Sequence, residues 1–172
     1  MKLLLNSLMI AVLGLSGVSV HAEQKNNFQT IHQTTHQSAQ QDVVDLFFAA
    51  ARTGNQEVIN EFIKHGFPVN LKNHAGFTPL MMATYYGHHE IVTTLLNHGA
   101  DRCLRANKGN TALMGAIFKL EWSIAKQLRQ VDCDAKAAKT GHKTTEEFAK
   151  ILGQDEKLKQ LTEAYSQKTE PK

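Results

Sequence analysis

Nine histidines and two cysteines are the residues of this chain best suited to chemistry. An imidazole titrates near neutral pH and binds metals, and a thiolate is both nucleophile and ligand. His32 and His36 are four apart and would share one face of a helix, a metal-binding spacing that needs a third ligand. None accompanies them, and polar neighbours make them solvated side chains. His65 and His98 are 33 residues apart; with His89 they are the candidates for a metal or haem site. Cys103 and Cys133 are the only thiols, too few for a four-thiolate zinc site. A bridge between them would close a loop of about thirty residues and add about 3 kcal/mol. There is no Gly-x-Ser-x-Gly elbow, P-loop, His-Glu-x-x-His or Cys-x-x-Cys, each of which would position a nucleophile, phosphate or metal. Without convergent acid, base or nucleophile, no catalysis and no cofactor are expected.

The elements that carry these residues must fit one domain of 172 residues. With 42% apolar and 20% charged residues the chain can build a core, which excludes wholesale disorder. Nineteen basic against sixteen acidic side chains give a net charge of +3, too weak a field for a nucleic-acid partner.

Met1 and Lys2 precede an apolar run from Leu3 to Val20 that ends in Val20-His21-Ala22. This pattern is that of a secretory signal over residues 1–22, cut between Ala22 and Glu23. It predicts an exported protein, periplasmic in a bacterium or else secreted, with no membrane segment after cleavage. Residues 23–41 are rich in Gln, Asn, Thr and His, with Phe28 and Ile31 as the sizeable apolar groups. Such a segment buries too little to offset its ordering entropy and reads as a flexible leader.

A period of 33 governs the rest. Phe47, Leu80 and Leu113 align, as do Ala50, Ala83, Ala116 and Ala149. Val58, Ile91 and Ile124 form a third series, Phe62, Leu95, Leu128 and Leu161 a fourth, and Thr78, Thr111 and Thr144 a fifth. A fixed period of this length signals stacked supersecondary units. The clearest unit is Gly76-Phe77-Thr78-Pro79-Leu80-Met81-Met82-Ala83, followed by Gly87-His88-His89-Glu90-Ile91-Val92, Leu95-Leu96 and Gly99-Ala100-Asp101. Thr78 is placed to cap a helix whose first turn holds Pro79. Ile91, Val92, Leu95 and Leu96 form the stripe of a second helix that Gly99 ends.

This unit resembles the ankyrin repeat, with its T-P-L-H-x-A start and G-A-D turn. The resemblance covers residues 42–167, divided at about 42–70, 71–103, 104–136 and 137–167, with a tail at 168–172. It implies an all-α solenoid of about four helix-turn-helix repeats joined by hairpin-like finger loops. The chain departs from the pattern in places. Met81 and Met114 replace the histidine of T-P-L-H, and Leu120-Glu121-Trp122 replaces Gly-His in repeat three. Repeat four, with its charged second helix from Asp155, suits a cap with one wet face.

The resemblance further implies a binding module that recognises another protein through fingers and inner helices, a concave surface. Those positions are Arg52 and Thr53 in repeat one. In repeat two they are His74, Ala75, Phe77, Tyr85 and Tyr86, and in repeat three Asn107, Lys108, Asn110, Phe118 and Lys119. Exposed aromatics rimmed by Lys and Arg have the composition of interface hot spots. Some of these rings could instead fold into the core or cover Phe28 and Ile31. His88 buttresses its turn, and the repeat accounts for most histidines without a metal. Cys103 and Cys133 lie near the finger turns of successive repeats, offset by three residues. Repeats about 10 Å apart exceed the Cα separation of about 7 Å that a disulfide tolerates, so a bridge and two half-buried thiols both stand. Small exported bacterial proteins of this kind are linked to peroxide defence, which the resemblance extends to this chain. An immunity protein against a periplasmic toxin, or a haem or metal carrier, are the other readings. The expected state is a monomer.

Overall fold

The computed structural model describes residues 40–135, 137 and 140–169. The expected signal at 1–22, its cleavage site at Ala22 and Glu23, and the leader with Phe28, Ile31, His32 and His36 lie outside the described residues. The chain divides into units 1–44 and 45–172; of the first, only 40–44 are described, and they are helical. The second unit holds the repeats.

Helical backbone runs over residues 40–53 (α1), starting two residues ahead of the expected repeat boundary at 42. After it come α2 (Gln56–Lys64), α3 (Pro79–Tyr85), α4 (His89–Asn97), α5 (Ala112–Lys119), α6 (Trp122–Leu128), α7 (Thr145–Ile151) and α8 (Asp155–Thr169). The last helix extends two residues past the expected boundary at 167. Four antiparallel pairs result, with no strand among the described residues.

Each pair is dictated locally. Thr78, Thr111 and Thr144 have extended backbones, and their hydroxyls accept from the amides of Met81, Met114 and Glu147. Each occupies an otherwise unpaired helix donor. In α7, the Glu147 carboxylate returns a bond to the Thr144 amide and completes a capping box. Ala83, Ala116 and Ala149 are fully buried, at a position where any larger group would separate neighbouring helices. Ile59, Val92, Ala125 and Leu158, again 33 apart, line the core side of the outer helices. In repeat one, Phe47, Phe62 and Phe67 meet at centroid distances of 4.7–5.1 Å, an aromatic cluster that seals this repeat.

The turns inside the pairs interlock. The His88 ring lies beneath Gly54, its Nε2 at 2.8 Å from the Arg52 carbonyl; a Cβ on Gly54 would meet the ring at 2.8 Å. One repeat later Glu121 takes this place beneath Gly87 and pairs with His89 at 3.4 Å. The missing Gly-His of repeat three is thus replaced by a carboxylate in the same role. Its other consequence is Leu120 at φ 61°, the described non-glycine residue with positive φ.

Candidate partner-binding surface

The fingers are organised by asparagine. The Asn73 Oδ1 accepts from the amides of Ala75 and Phe77, both at 3.0 Å, which folds the first finger into a tight turn. The next finger is zipped to it. The Asn107 amide donates to the Ala75 carbonyl at 3.1 Å, and its side-chain amide donates to the His74 carbonyl at 2.9 Å. Lys72 Nζ reaches the Arg105 carbonyl at 2.9 Å. Arg105 then links forward, to the Gly109 carbonyl at 2.7 Å, the Lys143 carbonyl at 3.2 Å and Asp134 at 3.2 Å. Asp134 also accepts from the Thr145 amide at 2.9 Å, at the start of α7.

Cys103 and Cys133 are joined in a disulfide with a Cα separation of 5.0 Å. The spacing of about 10 Å between repeats does not apply at the fingers, which approach to hydrogen-bond contact. The bridge and the Arg105–Asp134 pair fasten the same two fingers.

Above these fingers, α3, α5 and α7 enclose an open groove of about 680 Å³. Phe77, Tyr85, Tyr86 and Phe118 line it and are all exposed. Tyr85 and Phe118, one repeat apart, stack with centroids 6.2 Å apart and planes 13° apart. Tyr86 packs edge-on against Tyr85 at 5.3 Å, and Lys119 Nζ lies 4.9 Å from the Tyr85 centroid, a cation–π contact. The rings stand outside the core, braced by one another.

The groove brings together Phe77, Tyr85, Tyr86, Asn110 and Phe118 of the residues named from sequence, with Ala75. It does not include Arg52, His74, Asn107, Lys108 or Lys119 in its lining. Arg52 and His74 are exposed at other places, Asn107 ties fingers together, Lys119 braces Tyr85, and Lys108 lines an adjoining pocket. Met81, Met82, Met114, Gly115, Phe148 and Leu152 also form the walls and floor. Met81 and Met114, which stand where the repeat pattern has histidine, are buried and still line the groove. The period holds the missed signal. Met82, Gly115 and Phe148 occupy one repeat position, and the absent side chain between two large ones makes the hollow. A Cβ on Gly115 would meet nothing nearer than Thr84 Cγ2 at 3.9 Å, so only the absence of a side chain keeps the space open.

The histidine candidates are engaged separately. His65 pairs with Glu61 at 3.5 Å, His98 Nδ1 lies 2.8 Å from the Thr94 carbonyl, and His89 faces Glu121. Among the described residues no three His, Cys, Asp or Glu side chains group as metal ligands.

A family model described as ankyrin repeats in three copies matches residues 46–139. The pair α7 and α8 lies beyond that match. An ankyrin repeat protein of Pseudomonas aeruginosa is 40% identical over 47 residues, 27% of this chain and 28% of the relative. The chain therefore matches little more than a quarter of that relative's length.

Proposed function

From the premise that the chain belongs to the ankyrin-repeat family, whose repeats build protein–protein interaction modules, we propose that it is an exported binding protein whose partner occupies the concave groove. The observation that carries this reading is the groove itself. Four exposed aromatic side chains and a methionine floor surround about 680 Å³ with little polar lining. Exposed rings of this kind have the composition of protein-binding hot spots, and the largely buried methionines beneath them form an adaptable floor. The disulfide supports export, because such bridges persist in oxidising compartments. A role in peroxide defence is the pathway that the resemblance favours; a deletion strain with unchanged peroxide survival would remove it.

The test uses residues 23–172 as bait in periplasmic extract, beside Tyr85→Ala/Tyr86→Ala and Gly115→Leu. The first removes two anchors of the groove; the second fills it from a helix position where leucine is favourable. A partner held by the wild type and lost from both variants, with circular dichroism unchanged, is the expected outcome. Retention by both would place the binding face elsewhere.

A further inference from the structure

The groove continues into a second pocket of about 290 Å³, and the two share Asn110 and Phe148. Lys108, His142 and Lys143 line the second pocket. Its chemistry is different, and the repeat shows how the change arises. At one repeat position the residues run Phe77, Asn110, Lys143; at another, Ala75, Lys108, Gly141. The surface thus turns from apolar to cationic along the solenoid, from the fingers of repeats two and three to those of repeats three and four.

No ion pair engages Lys108 or Lys143 among the described residues. No Asp or Glu lines either pocket. The carboxylates around the start of α7 have other partners: Asp134 holds Arg105 and the Thr145 amide, Glu146 holds Arg129 at 2.8 Å, and Glu147, which keeps its charge, caps the Thr144 amide at 2.9 Å. Lys108 and Lys143 are exposed. The His142 ring covers Gly109 so closely that a Cβ there would meet its Nδ1 at 2.6 Å, so packing holds this imidazole at the pocket wall. At the far end, the Lys119 ammonium over Tyr85 adds a third cation.

We infer that the partner presents an extended acidic segment, with apolar or aromatic side chains in the groove and carboxylates against Lys108, His142 and Lys143. This deepens the proposed function and rests on it. The dimensions suit an extended chain. Neighbouring helices pack about 8–10 Å apart and an extended chain advances about 3.3 Å per residue, so about three residues pass each repeat. Apolar side chains followed within about three to five residues by glutamate or aspartate would then match both pockets. Charge complementarity of this kind sets orientation and excludes wrong partners more than it adds raw affinity.

The experiment measures fluorescence anisotropy of three labelled peptides of about eight residues with residues 23–172. The first carries Leu and Phe followed by a run of Glu. The second replaces Glu by Lys, and the third replaces Leu and Phe by Ser. The wild type is expected to prefer the Glu peptide about tenfold over the Lys peptide at low salt and to bind the Ser peptide weakly. Lys108→Glu/Lys143→Glu, two exposed changes, should reverse the charge preference. Equal binding of the Glu and Lys peptides, no binding of either, or an unreversed preference in the variant would overturn the inference. Tighter binding of dodecanoate than of the Glu peptide would also overturn it, by assigning the cations to a lipid carboxylate. If Glu and Lys peptides bind alike and Tyr85→Ala/Tyr86→Ala abolishes both, the groove reading stands and the acidic segment fails. If that tyrosine variant and Gly115→Leu both retain the protein partner, the groove reading itself fails.

Discussion

Leu120 shows how one residue can depart from a repeat and be tolerated. It occupies the position of Gly87 and adopts the same left-handed backbone, φ 61° against 74°. A side chain there is strained by about 1 kcal/mol, and Leu120, 56% exposed, returns little burial. Leu120→Gly should therefore raise stability by about 0.5 kcal/mol, after the entropy glycine adds to the unfolded chain; a urea titration with unchanged slope would check it. Gly115 is the opposite case, a glycine inside a helix with no conformational need for it. Gly115→Ala should stabilise α5 by about 0.8 kcal/mol and weaken partner binding by narrowing the groove. Stabilisation with undiminished binding would separate this glycine from the site.

Among the elements, the fingers depend most on long-range contacts. Each finger closes through backbone bonds of its own, Asn73 to Phe77 and Ala106 to Asn110, but Asn107, the Arg105–Asp134 pair and the disulfide fasten one finger to the next. Cys103→Ser/Cys133→Ser should cost about 3 kcal/mol by freeing the unfolded chain. Amide exchange should accelerate first at residues 103–110 and 131–135, and uniform acceleration across the chain would argue against a finger-specific clamp. Arg105 and Asp134 are only 14% and 10% exposed at their side chains, so removing one partner strands the other. Asp134→Ala should cost about 3 kcal/mol and loosen the start of α7, whose Thr145 amide loses its acceptor. Thr144 and Glu147 would still cap that helix, so a shift in finger and Phe148 signals by NMR, without loss of α7 helicity, is the expected signature.

At the scale of the whole molecule, each helix pair depends on its neighbours. Stability in such a stack is a sum of repeat and interface terms, so damage at one end stays local. Leu158, 2% exposed, is a deeply buried side chain of the charged α8. Leu158→Ala should cost about 3 kcal/mol and unfold α7 and α8 ahead of the other repeats. Two transitions, or early loss of α8 exchange protection, would show it; a single transition shifted to lower stability would mean that the disulfide and Arg105 couple the last repeat to the rest, and an unshifted one that Leu158 contributes little.

The sequence alone determined the repeat. Thr78, Thr111, Thr144, the alanine series and the outer-helix stripe act within one helix or at one fixed offset, and local physics fixes their roles. Repeat position placed Tyr85, Tyr86 and Phe118 on the inner face but left open whether they fold into the core; their exposure was decided by the tertiary structure. Only the tertiary structure decided which of these residues form one site. Met81 and Met114 stood in the sequence only as replacements of the T-P-L-H histidine; that they are buried and also line the groove is a matter of two sides of one side chain, which periodicity does not separate. The hollow over Gly115 exists because Met82 and Phe148 arrive from different repeats. Asn107 stands outside the groove lining because the His74 and Ala75 carbonyls hold it. The disulfide was open at the level of sequence because bridging depends on a Cα distance set by how fingers converge, and spacing along a chain does not contain that distance.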